Sequence, residues 1–177
     1  MLLLALIALL ESPAPPPPNL SGRWTYSVEK SEDAQAKVRQ AVQQHRTVSG
    51  PVGPSSHHRN AGPIAPSSAP PIPSVFETLT EPPRKLTITE TEAEVAIIDS
   101  DGRLRQLKAD GTPSREGNQD VKASWRNDSF VVESREGGNL TTEVFSLEPG
   151  VLTVQVTAAS PTLGSVSVKR VYFPSAP

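Results

Sequence analysis

From Arg84 to the C-terminus the chain repeats one pattern: short runs with alternating apolar residues, broken by turn residues every eight to twelve positions. Alternation with a period of two marks strands buried on one face, and a series of them at this spacing folds as an antiparallel sandwich or barrel. Candidate strands span 84–89, 93–98, 103–108, 120–126, 129–135, 139–147, 151–158 and 165–173. A ninth lies far upstream, where Trp24, Tyr26 and Val28 alternate with Thr25 and Ser27 after Gly22-Arg23. The expected fold class is therefore all-β, an antiparallel up-and-down meander closing on itself.

What separates the first strand from the rest is rich in proline. Of 19 prolines in 177 residues, 14 lie at or before Pro83. Residues 1–10 (MLLLALIALL) have the length of an export-signal core and are too short to span a bilayer. No Lys or Arg precedes them, and Pro15 follows the cleavage-like Ser12-Pro13-Ala14. The expectation is a signal-like segment and Pro-rich spacer over 1–18, with a secreted or periplasmic protein beyond it and no stable membrane span. Residues 19–177 then form a single domain carrying an insertion over 29–83. Within the insertion, Ser31-Glu32-Asp33 opens a helix capped by Ser31 and running to about Gln44. Residues 46–74, with seven prolines and little to bury, read as disordered. A capping box at Ser74–Glu77 starts a second short helix that docks Phe76 and Leu79 and stops at Pro82-Pro83.

Turn lengths predict strand register. Asn127-Asp128 as a two-residue turn pairs Trp125 with Phe130, Ala123 with Val132 and Lys122 with Glu133. Reading Glu136-Gly137-Gly138 as a three-residue loop sets Val132 against Thr142 and Phe130 against Val144. That register places Leu140 and Val144 on the inner face and leaves Glu133 and Glu143 outside; a two-residue loop would set Glu143 against Val132. The 103–108 strand is ambiguous, because Leu104 and Leu107 differ in parity.

The last strand places Arg170 inside, on the face of Val166, Val168 and Tyr172. A buried guanidinium needs a partner. It could stack on Trp24 of the neighbouring first strand as a structural plug, or hold the carboxylate of an apolar ligand together with Tyr172.

Gly22-Arg23-Trp24 in the first strand, a meander, and an Arg near the end of the last strand resemble the lipocalin and fatty-acid-binding protein superfamily, the calycins. In lipocalins a late Arg packs the Trp of the G-x-W motif, which would map onto Arg170 and Trp24. The ending Lys169-Arg170-Val171-Tyr172 is more similar to fatty-acid-binding proteins, whose terminal R-x-Y pair points to a ligand carboxylate. A helical insertion after the first strand also resembles that family, where it forms a lid. The start Asn19–Trp24 resembles small exported bacterial proteins that begin with an N-L-S-G-x-W motif. Nine strands match neither the eight of lipocalins nor the ten of fatty-acid-binding proteins. The resemblance implies a lipocalin-like barrel, with Trp24, Tyr26, Trp125, Phe130, Arg170 and Tyr172 lining a ligand site.

Other chemistry finds little support. Without Cys there is no thiolate nucleophile and no disulfide framework, and a formal charge of −2 with no basic stripe argues against nucleic acid. His45, His57 and His58 all fall in or beside the insertion, away from any strand. Asp99–Gly102 and Asp110-Gly111 read as turns rather than calcium loops. No assembled acid, base or nucleophile points to an enzyme, and neither a cofactor nor a metal is expected. The expectation is a monomer that binds a small apolar or anionic, lipid-like ligand. Its competitor is a solid barrel acting as a cell-envelope interaction or inhibitor module.

Overall fold

The computed structural model describes residues 16–48 and 72–176. The export-signal reading at 1–10 and the pair His57-His58 lie outside them. Ten strands form one antiparallel sheet: β1 (Gly22–Tyr26), β2 (Lys85–Glu90), β3 (Glu94–Asp99), β4 (Leu104–Lys108), β5 (Ser114–Glu116), β6 (Gln119–Arg126), β7 (Ser129–Glu136), β8 (Asn139–Glu148), β9 (Val151–Ser160) and β10 (Gly164–Pro174). The added strand is β5, three residues in a segment the alternation pattern leaves as a connection. The sheet runs β4-β3-β2-β1-β10-β9-β8-β7-β6-β5, so β1 lies inside it, against β2 on one side and β10 on the other.

The sheet curls until its edges nearly meet. Beyond β4, the Ala109 amide still donates to Ala93 beside β3, while two residues later the Gly111 amide donates to Ala123 on β6. Asp110 and Ser124 form an isolated bridge there. Gly111 makes this corner possible at φ 81°, and Asp110 Oδ1 accepts from the Thr112 amide at 2.8 Å. The barrel is thus closed at one end by the segment that bends away from β4. Towards the other end β4 and β5 are unpaired edges.

The Asn127-Asp128 turn sets the expected pairs, Trp125 with Phe130, Ala123 with Val132 and Lys122 with Glu133. Glu133 nonetheless bonds Arg126, at 2.6 Å, on the outer face. The next hairpin overturns the expected register. Gly137 and Gly138, at φ 52° and 86°, form a two-residue turn, with Glu136 opposite Asn139. Val132 therefore faces Glu143 and Phe130 faces Phe145, not Thr142 and Val144. Two consecutive residues at positive φ suit the twist of a tight hairpin, and Gly-Gly meets that demand without strain. The inner face gains Phe145, fully buried, and loses Leu140 and Val144.

The insertion begins as α1 (Ala34–Val48). Asp33, not Ser31, caps it: its Oδ1 accepts from the Ala36 amide at 2.9 Å. Ser31 and Glu32 serve another purpose. Past Tyr26, β10 has lost β1 as a neighbour, and its open edge is covered by the turn leading into α1. The Val171 amide donates to Ser31 Oγ at 2.9 Å, the Lys169 amide to Glu32 Oε2 at 2.6 Å, and Lys37 Nζ to the Ser167 carbonyl at 3.0 Å. Bonds from Lys37 and the Lys169 amide hold the Glu32 carboxyl below its ordinary range. Val38 and its neighbours on α1 pack against Phe76 and Val166 at this end of the barrel.

A turn of 3₁₀ helix (Ser74–Phe76) runs directly into α2 (Glu77–Thr80). Pro73 precedes it with no side-chain cap, so the expected capping box does not form. The span 46–74 expected to be disordered thus has helical structure at both ends, and 49–71 lies outside the described residues. Phe76 and Leu79 are buried in the barrel core as expected. Among the described residues no helix is long and apolar enough to cross a membrane.

Candidate functional site

Between Pro83, which follows α2, and the β3–β4 turn the core leaves a cavity of about 60 Å³. Its apolar walls are Leu86, Ile97, Phe145 and Val154; its polar groups are Asp99, Arg103, Arg105, Glu143, Arg170 and Tyr172. The β3–β4 turn is held by Asp99, whose Oδ1 accepts from the Asp101 and Arg103 amides at 2.8 and 3.0 Å.

Arg170 is the innermost charge, 4% exposed. Its Nη2 donates to the carbonyls of Thr78 and Leu79, the latter at 3.3 Å. These are carbonyls that α2, ending at Thr80, cannot satisfy within itself. A guanidinium at a helix C-terminus also meets the negative end of the helix dipole. Arg170 Nε has no hydrogen-bond partner. Two residues on, Tyr172 meets Tyr26 edge to face with ring centroids 5.4 Å apart. Burial pushes the Tyr172 phenol well above its ordinary range, and the adjacent Arg170 only partly offsets this.

Across the cavity, Arg105 Nη1 bonds Glu143 Oε2 at 2.6 Å. The pair ties edge strand β4 to β8 through the interior. The charge of Glu143 raises the Arg105 pKa above its ordinary value, with Glu116 and Asp99 adding to it. Glu143 thus neutralises Arg105. Arg170 bonds the Thr78 and Leu79 carbonyls and, among the described residues, forms no ion pair.

Several solved structures share this fold. The fatty-acid-binding protein 1 of Echinococcus granulosus matches with a TM-score of 0.52 at 14% identity, over 89% of this chain and 98% of that one. The fluorescent protein UnaG matches with a TM-score of 0.51 at 15% identity, over 88% and 97%. A secretary abundant heat soluble (SAHS) protein from Ramazzottius varieornatus matches with a TM-score of 0.51 at 11% identity, over 88% and 95%. The fold is that of the calycins. No protein-family model matches the chain, and no curated protein matches it.

Of the calycin positions expected to line a ligand site, Arg170 and Tyr172 face the cavity. Tyr26 backs Tyr172 from β1. Trp125 and Phe130 pack against each other, centroids 5.4 Å apart, and Phe130 continues to Phe145 at 6.2 Å, forming an aromatic layer that leads to the cavity through Phe145. Trp24 lies elsewhere: it is buried, and its Nε1 donates to the Leu20 carbonyl at 3.1 Å. The indole also covers Gly22, where an added Cβ would lie 3.2 Å from Nε1. Trp24 pairs with Pro174, four residues beyond Arg170. At about 3.3 Å per residue that is roughly 13 Å along the strand, so Arg170 bonds α2 instead of stacking on Trp24.

Sequence reasoning missed Arg105 and Glu143. Both had a signal. The Gly137-Gly138 pair favours a two-residue turn, which sends Glu143 inward. Leu107 is buried, so Arg105, two residues earlier on β4, faces the same way.

Proposed function

We propose that this calycin-fold protein binds one small amphipathic molecule inside its barrel, an apolar chain with an anionic head, with Arg170 and Tyr172 at the head. The observation that carries the reading is Arg170: a buried guanidinium at a cavity wall, with its Nε unpartnered and no ion pair to the acids that share the cavity. A cation placed so is costly unless it has a task. The reading includes export, from the apolar residues 1–10, and a non-enzymatic, monomeric protein.

The cavity is far smaller than the roughly 300–1,000 Å³ of ordinary ligand sites. That observation favours a second reading, a filled barrel acting through its surface as an envelope interaction module. Native mass spectrometry of the protein purified from its own host, followed by calorimetric titration with laurate, separates the two. Co-purified lipid or saturable laurate binding that is lost in Arg170→Met supports the first. A ligand-free protein with no laurate binding supports the second.

A further inference from the structure

We infer that Arg170 is a latch on α2: it holds the helix in the barrel mouth while the barrel is empty and releases it when an anionic head group takes the guanidinium. The inference rests on the ligand-binding reading above.

Three observations lead there. First, α2 has four residues, far too few to be stable by its own backbone bonds. It stays in place through Phe76 and Leu79, 1% and 0% exposed, and through the carbonyls of Thr78 and Leu79 on Arg170. Second, Phe76 and Leu79 occupy the interior volume an apolar chain would need, since the remaining 60 Å³ holds only a few water molecules. The segment 74–80 is thus the barrel's own occupant. Third, the bond that secures it is replaceable. A carboxylate makes a stronger, charge-assisted bond to a guanidinium than a peptide carbonyl does. An anion reaching Arg170 outcompetes the carbonyls and leaves those of Thr78 and Leu79 unsatisfied, so the helix leaves as the apolar chain enters. A neutral molecule with the same chain lacks that leverage and has to displace the helix against an intact latch.

The readout is cleavage by chymotrypsin after Phe76 and Leu79, normalised to cleavage after Phe130 and Phe145, which reports global unfolding. In the ligand-free protein, Arg170→Met is expected to raise normalised nicking about fivefold or more, because local opening no longer breaks a latch. An unchanged nicking rate in folded Arg170→Met overturns the latch whether or not any lipid binds. In the wild type, laurate is expected to raise nicking and dodecanol at equal concentration to leave it unchanged; protection by laurate overturns the inference. Phe76→Ala leaves Arg170 in place but weakens the resident occupant, and is expected to tighten laurate binding about tenfold by removing the cost of opening. Weaker laurate binding in folded Phe76→Ala overturns the displacement step. If no variant binds laurate, the ligand-binding reading falls, and the nicking of ligand-free Arg170→Met still decides what holds α2.

Discussion

Tyr172 shows what burial does to one titrating group. Its hydroxyl lies in the interior, and desolvation raises its pKa above the ordinary 10.0. The folded state therefore keeps the phenolic proton after the unfolded chain has lost it. The stability this supplies is complete below about pH 10 and is lost as pH rises from there through the folded value. Denaturation midpoints measured from about pH 8 to pH 11 should fall more steeply for the wild type than for Tyr172→Phe. Equal slopes would mean that the hydroxyl is solvated in the folded protein. The Arg105–Glu143 pair makes a second test at this scale. Glu143→Leu leaves a guanidinium facing the interior without its counter-ion. The cost should be about 2 kcal/mol, below that of a fully buried pair because the Arg105 side chain is 29% exposed. Adding Arg105→Leu should restore most of the loss. Additive losses in chemical denaturation would show the two side chains to be uncoupled.

The hairpin of β7 and β8 shows which part of an element can be read locally. Its strands and its turn residues were legible, as was the neighbouring Asn127-Asp128 register. The loop length was misjudged because a carboxylate facing the core looked more costly than an extra loop residue. What makes Glu143 acceptable is Arg105, 38 residues away on a strand of ambiguous parity, and no local window contains that partner. The same limit hid the latch. Arg170 could be placed inside from its own strand, but its bonds to α2 span 92 and 91 residues. The register is open to direct measurement. Phe145→Ala should cost about 3–5 kcal/mol as an inward aromatic, and Val144→Ala about 1 kcal/mol or less as an outward side chain. The reverse order in urea titrations would restore the three-residue loop.

At the scale of the molecule, proline content divides the sequence unevenly, yet the fold does not divide with it. β1 lies upstream of the Pro-rich stretch and still forms an interior strand of the sheet, between β2 and β10. A chain beginning at Arg84 keeps nine of the ten strands but loses the one that joins β2 to β10. Such a chain should fail to give the cooperative thermal transition of the full protein, as followed by far-ultraviolet circular dichroism. A cooperative monomer would show that β2 and β10 can pair without β1. The overall meander and its closing on itself were legible because each hairpin is local and every strand has one apolar face; the place of closure was not, because it depends on the two-residue crossing from Ala109 to Gly111.

The place of β1 between β2 and β10 also sets an order of events during synthesis. The first strand made is the one that needs the last, as the bond between Thr25 and Ser175 across 150 residues records. Hairpins from β6 to β9 can form as they emerge, but β1 and β9 are joined into one sheet only when β10 follows. Such long-range pairing makes folding slow, and the growing chain carries unsatisfied strand edges throughout translation. The sheet can therefore be completed only after the last strand has been made.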